Sequence, residues 1–170
     1  MSLSQFVHYI MLKNALQKLV GGKTDFETYT LLRMQAKTYR LVKNYVSPIL
    51  TKHKLSTLDW SLLGLLKEYP KGCRFIQISQ KMGVEPPFIT ELVSSIKKNK
   101  LIKTENDLED KRAKILILTK KGEELVDSLE KQIQERLVNL LNDVSSSDFT
   151  GYINVMNHLS KKIEEKELQM

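Results

Sequence analysis

Residues Ile89 to Gly122 read ITELVSSIKKNKLIKTENDLEDKRAKILILTKKG, and the repeat of apolar positions changes twice within them. Ile89, Leu92, Val93 and Ile96 fall at the i, i+3, i+4, i+7 spacing of one buried helix face. The period breaks at Lys100. Leu101-Ile102 opens a short extended segment, the run Glu105 to Arg112 is too polar and charged to bury anything, and Ile115-Leu116-Ile117-Leu118 forms a second extended segment. Thr119 then offers a cap for a new helix, with Glu123 and Glu124 near its positive end. The pattern predicts a helix followed by a two-stranded ribbon with a charged tip.

Upstream, Ile76, Ile78, Ser79 and Met82 predict a short helix ended by Gly83. Pro86 and Pro87 suit the first turn of the next helix, where amides have no internal acceptor. Gly83 therefore closes one helix a few residues before Pro86 opens another, which is the spacing of a helix-turn-helix. Earlier still, Ser56 and Asp59 form a reciprocal cap and Leu55 can pack on Trp60, starting a helix that stops before Pro70. The expected fold is mainly α with a small β wing: a winged helix-turn-helix over residues 55–122.

The flanking segments read as helical. Phe6, Val7, Ile10, Met11 and Ala15 give residues 4–20 an amphipathic pattern, ended by Gly21-Gly22. Thr24 to Glu27 has capping-box spacing, and a long helix follows through Leu31, Leu32, Met34, Tyr39, Leu41, Val42, Tyr45 and Val46. Pro48 either kinks or splits it. Leu125, Leu129, Ile133, Leu137, Leu140 and Leu141 make a second stripe. Ser145 to Asp148 interrupts it, and Phe149, Ile153, Met156, Leu159 and Ile163 continue it. The expected organisation is an N-terminal helical extension over 1–22, helical dimerisation regions over 23–54 and 123–170, and the winged domain between them.

Charge is unevenly placed. The chain of 170 residues carries +7, of which Lys71 to Lys121 supplies +6 from 12 Lys/Arg and 6 Asp/Glu. Scattered lysines merely solvate a surface, whereas an excess gathered on one segment attracts a polyanion. No apolar run is long enough to cross a bilayer and no basic leader precedes one, so the expectation is a soluble cytoplasmic protein. Cys73 is the single cysteine, which excludes an internal disulfide and a multi-cysteine zinc site. His8, His53 and His158 show no metal spacing, and no cofactor is expected. No nucleophile has an adjacent base and no Gly-rich phosphate loop occurs, so an enzyme is not indicated.

With Ile89, Leu92, Val93 and Ile96 buried, the outward positions of the helix are Pro87, Phe88, Thr90, Glu91, Ser94, Ser95 and Lys98. A helix fits the major groove of DNA, where short polar side chains near its N-terminus reach base edges. Thr90 and Ser94 can donate and accept, Phe88 can touch a thymine methyl, and Lys97 and Lys98 can clamp phosphates. Arg74, at the start of the preceding helix, joins this cationic set. Glu91 can accept from cytosine N4 but is repelled by phosphate. The weaker alternative is that these are ordinary solvated positions.

Leu55-Ser56 with Trp60, the turn from Ile78 to Val84, Ile89-Thr90 and Leu101-Ile102 resemble MarR-type transcriptional regulators. The most specific resemblance is Asp110-Lys111-Arg112-Ala113 running into Leu118-Thr119-Lys120-Lys121-Gly122. It covers roughly Phe26 to Ile163. It implies a homodimer of paired N- and C-terminal helices bearing two winged lobes, and hence a near-palindromic operator on double-stranded DNA. It also implies that Arg112 enters the minor groove, with Asp110 holding its guanidinium and Lys111 and Lys114 on the backbone. The weaker alternative for Arg112 and Asp110 is a surface ion pair that pins the hairpin and contributes little. Two departures stand out. Glu91 replaces a common guanine-reading arginine, and Lys100 replaces a glycine after the helix, leaving Asn99 as the residue suited to a left-handed corner.

Family members often take small aromatic or anionic effectors, so a ligand-responsive repressor is expected, with Tyr39, Arg40, Tyr45, His53 and Trp60 as candidate contacts; the alternative for these aromatics is core packing. The cysteine of hydroperoxide-sensing members is absent from Tyr29-Thr30-Leu31-Leu32. Arg74 beside Cys73 could lower the thiol pKa, but a plain half-buried thiol is the preferred reading. The other functional class that survives is a winged-helix protein-interaction module without sequence-specific reading, which Glu91 favours.

Overall fold

The structure, a computed structural model, describes residues 27–167. The expected helix over 4–20, its Gly21-Gly22 break and the Thr24 cap lie outside the described residues. The elements in order are α1 (Thr28–Thr51), α2 (Thr57–Glu68), β1 (Cys73–Arg74), α3 (Phe75–Met82), α4 (Pro86–Lys98), β2 (Ile102–Asn106), β3 (Lys114–Leu118), α5 (Lys120–Val138) and α6 (Ser146–Glu167). The chain divides into two units, Met1–Tyr45 and Val46–Met170. Of the first, the described part is helical from Thr28, and Tyr29, Leu31, Leu32, Met34, Tyr39, Leu41, Val42 and Tyr45 are exposed.

Pro48 does not split α1. Val46, Ile49 and Leu50, on both sides of the proline, are buried in the core of the second unit and keep the two flanks in one helix. The loss of one amide donor is tolerated because packing, rather than local hydrogen bonding, supplies most helix stability in a folded chain. The core around Leu50 is completed by Leu62, Leu63 and Leu66 of α2, Ile78 of α3, Ile89 and Ile96 of α4, Leu116 of β3, and Leu129 and Ile133 of α5.

Local signals in the sequence act as read. Ser56 Oγ accepts from the Asp59 amide at 3.1 Å while Asp59 Oδ2 accepts from the Ser56 amide at 2.7 Å, closing the capping box of α2. Gly83 ends α3 in the left-handed region at φ 62°. Prolines open α4. The second stripe divides: Leu129 and Ile133 are buried in the lobe's own core with Leu125 and Leu137 packed against it, whereas Leu140 and Leu141 are exposed.

The sheet has the antiparallel order β1-β3-β2. Ile102 pairs with Leu118 and Asn106 with Lys114, so Asp107 to Ala113 is the hairpin tip; Cys73 pairs with Leu116 on the other edge of β3. The corner between α4 and β2 differs from expectation. Asn99 stays at φ −83° and Lys100 takes the left-handed conformation at φ 59°. The Asn99 and Lys100 amides still donate to the Ile96 and Lys97 carbonyls, at 3.1 and 2.9 Å. The chain therefore reverses one residue later, and a lysine bears the strain.

Candidate nucleic-acid interface

Helix α4 buries Ile89, Leu92, Val93 and Ile96 and leaves Pro87, Phe88, Thr90, Glu91, Ser94, Ser95, Lys97 and Lys98 exposed. Every residue expected on the outward face is thus on it. The Thr90 hydroxyl donates to the Pro86 carbonyl at 3.3 Å, leaving its oxygen as an acceptor toward solvent. Lys97 is less free than a simple phosphate clamp, because its Nζ donates to Thr104 Oγ1 on β2 at 3.3 Å. At the far end Lys121 Nζ donates to the Asn99 carbonyl at 3.0 Å, satisfying one of the helix's terminal acceptors.

The wing tip is ordered by a residue that the sequence reading passes over. Asp107 lies in the run judged too charged to bury anything, yet its side chain is only 13% exposed. Its Oδ1 accepts from the amides of Glu109 at 2.8 Å and Asp110 at 3.3 Å, and its Oδ2 accepts from Arg74 Nε at 2.5 Å. The Asp107 amide donates to the Ala113 carbonyl at 3.0 Å, closing the loop. Asp110 likewise departs from expectation. Its carboxylate accepts from the Arg112 backbone amide at 3.0 Å, so it fixes the main chain beneath Arg112 rather than the guanidinium. Arg112, Lys111 and Lys114 are exposed along the wing, and the Lys114 ammonium donates to Asn106.

The Arg74 guanidinium and then the loop amides hold the Asp107 carboxyl down from about 3.8 to about 2. A carboxylate with a lowered folded-state pKa stabilises above its unfolded value, and that contribution is lost as pH falls through the folded one. Wing order should accordingly persist at pH 5 and be lost between about pH 4 and 2. Protection of the Glu109 and Asp110 amides, taken relative to the intrinsic exchange rate at each pH, checks this, and protection unchanged from pH 5 to pH 2 would contradict it.

Arg74, expected among the DNA contacts, is engaged with Asp107 and does not activate Cys73. The Cys73 thiol is buried, and burial pushes its pKa up against the opposing effects of Lys81 and the Arg74 amide. Such a thiol is a poor nucleophile. Its Sγ donates to Gln77 Oε1 at 3.6 Å.

Of the candidate effector contacts, Tyr39, Arg40 and Tyr45 are exposed on the first unit, and Trp60 is half-buried against the core of the second. His53 lines an open hollow of about 410 Å³ together with Asn99, Leu101, Lys121, Glu124, Leu125 and Ser128. Trp60 does not reach it. Among the described residues no helix is long and apolar enough to cross a membrane, and no cluster of His, Cys, Asp and Glu could hold a metal ion.

A three-helix reader with a two-stranded wing, the exposed polar face of α4 and the hairpin bearing Lys111, Arg112 and Lys114 on one lobe, defines the winged helix-turn-helix class. No protein-family model matches the chain. An uncharacterised HTH-type transcriptional regulator of Staphylococcus aureus strain MSSA476 is 35% identical over 126 residues, 72% of this chain and 85% of the relative. Its counterpart in strain Mu50 is 35% identical over 124 residues, 71% and 84% of the two chains. Among solved structures, Staphylococcus aureus MarR in complex with salicylate and kanamycin is 28% identical with a TM-score of 0.68, covering 81% of this chain and 93% of that one. A MarR family regulator from Rhodococcus sp. RHA1 shares the fold at 17% identity and a TM-score of 0.72, over 81% and 98% of the chains. The chain belongs to the MarR family of winged helix-turn-helix transcriptional regulators.

Proposed function

We propose that the protein is a sequence-specific regulator that binds a near-palindromic operator on double-stranded DNA as a homodimer and represses until a small aromatic or anionic effector releases it. The observation that carries this reading is the concentration of +6 of the net charge on Lys71 to Lys121. That segment holds the exposed polar face of α4 and the wing. Phosphate contacts from Lys98, Lys111 and Lys114 would set affinity, and Thr90, Ser94 and Arg112 would set sequence. Glu91, exposed on the same face, would select cytosine N4 and reject a phosphate in its place.

The homodimer is supported by α6, which leaves Phe149, Tyr152, Ile153, Val155, Leu159 and Ile163 exposed, more apolar side chain than one helix of a monomer commonly shows to water. In this reading residues 23–54 and 123–170 provide the dimer contacts, residues 1–22 extend them, and 55–122 read DNA in the cytoplasm. The effector reading draws on the hollow at His53, where Lys121 pins the end of α4, so an anion drawn to that lysine would disturb the reading helix. Staphylococcus aureus MarR has been solved with salicylate, and CouR from Rhodococcus jostii RHA1 with p-coumaroyl-CoA. The relatives are regulators rather than enzymes, and no catalytic role is proposed.

Selection of bound sequences from a random duplex pool at physiological salt, with and without phenolic acids, tests the proposal. The expected product is an inverted repeat with half-site centres about one helical turn apart, depleted when effector is present. A pool that stays unenriched would favour the protein-interaction module instead, the reading that the exposed Glu91 supports.

A further inference from the structure

Arg74 and Asp107 are 33 residues apart in sequence and meet through a 2.5 Å ion pair. Arg74 stands at the junction of β1 and α3, and Asp107 is the first residue of the wing tip after β2. The two side chains are 34% and 13% exposed, so most of the carboxylate surface is covered. One carboxylate therefore does two things: Oδ1 shapes the loop that carries Asp110, Lys111 and Arg112, and Oδ2 ties that loop to the root of the reader helices. The chain of contacts continues to Arg112, whose amide is held by Asp110, itself held by Asp107.

We infer that Arg74 and Asp107 are positioning residues for DNA reading: a strut that sets the wing against α3 and so presents Arg112, with Arg74 acting through Asp107 and not as a phosphate clamp. The inference rests on the DNA-binding reading above but makes a claim that charge counting does not. Asp107→Asn removes a negative charge from a surface meant for a polyanion, and electrostatics alone would tighten binding. It keeps an oxygen for the loop amides and loses only the charged partner of Arg74. The strut requires the opposite result, weaker binding.

The test measures duplex affinity for Asp107→Asn, Arg74→Gln, their combination, and Glu109→Gln, which removes the same charge from the same tip without touching the strut. Asp107→Asn and Arg74→Gln should each weaken binding about tenfold, within what one well-placed groove contact contributes. The double variant should be no weaker than either single one, because both break one connection. Glu109→Gln should bind as well as wild type or better. The salt slope of Arg74→Gln should stay within about 0.3 of wild type, since a lost phosphate contact would lower it by about 0.9. Tighter binding by Asp107→Asn, losses that multiply in the double variant, an equal loss in Glu109→Gln, or a slope lower by one contact would each overturn the strut.

A second measurement needs no DNA. Amide exchange at Asp107 and Ala113, which close the wing loop, should quicken about tenfold in both single variants if the pair holds the tip. Unchanged exchange would overturn the inference even in protein that binds no duplex. Wild-type protein that binds no duplex while these amides quicken would count against the DNA-binding reading alone and leave the strut supported.

Discussion

Gly122→Ala should destabilise the winged lobe by about 3 kcal/mol or more, the upper end of overpacking in a core that cannot relax. A Cβ at this position would sit 2.2 Å from the Leu101 carbonyl oxygen and 2.7 Å from Leu118 Cδ1. The leucine side chain can turn away. The carbonyl cannot, because it accepts from the Thr119 amide at 2.9 Å and from Thr119 Oγ1 at 3.0 Å, while Thr119 Oγ1 in turn accepts from the Gly122 amide at 3.1 Å. The Leu-Thr-x-x-Gly segment is thus one unit: the threonine caps α5 and fastens it to the start of β2, and the glycine lets the two backbones touch. Denaturant unfolding checks this through a lower midpoint at unchanged slope. A loss under about 0.5 kcal/mol, the scale of ordinary surface substitutions, would mean that the contact gives way.

Arg112→Ala should weaken operator binding by roughly 30-fold to 10⁴-fold while leaving folding and dimerisation alone. Each groove contact of an arginine contributes about 1–3 kcal/mol, and the proposed dimer would place two wings on one operator. The side chain is exposed, and the only tie that the wing makes to this residue is through its amide to Asp110, which alanine keeps. A midpoint of unfolding that stays within error of wild type, alongside lost binding, would locate the effect in the DNA contact. Unchanged binding would remove the wing from the mechanism. Because Asp110 holds main chain, Asp110→Ala should loosen the tip before it touches the guanidinium, which distinguishes the observed geometry from the ion pair suggested by the sequence.

Much of this protein was legible before any coordinates. The apolar face of α4, the Ser56–Asp59 box, the Gly83 stop, the proline start of α4, the hairpin and the Thr119 cap all depend on neighbours within a few residues, and local spacing encodes such neighbours directly. The resemblance carried by Asp110 to Gly122 supplied the family. The lining of the hollow was not legible: of the five aromatic and basic effector candidates only His53 lines it, while Lys121 and Asn99, which also line it, gave no signal beyond being polar.

What the sequence alone determined is the succession of elements and the face each one buries, since periodicity, caps and breakers are local properties of the chain. Tertiary structure decided the rest: that Arg74 pairs with Asp107, that Asp110 holds an amide, that Lys100 rather than Asn99 turns the corner, and that Gly122 must lack a side chain. The Arg74–Asp107 pair and the approach of Gly122 to Leu101 depend on which distant backbone the β1-β3-β2 register brings alongside, and a carboxylate among many carboxylates shows its distant partner only once that register is formed.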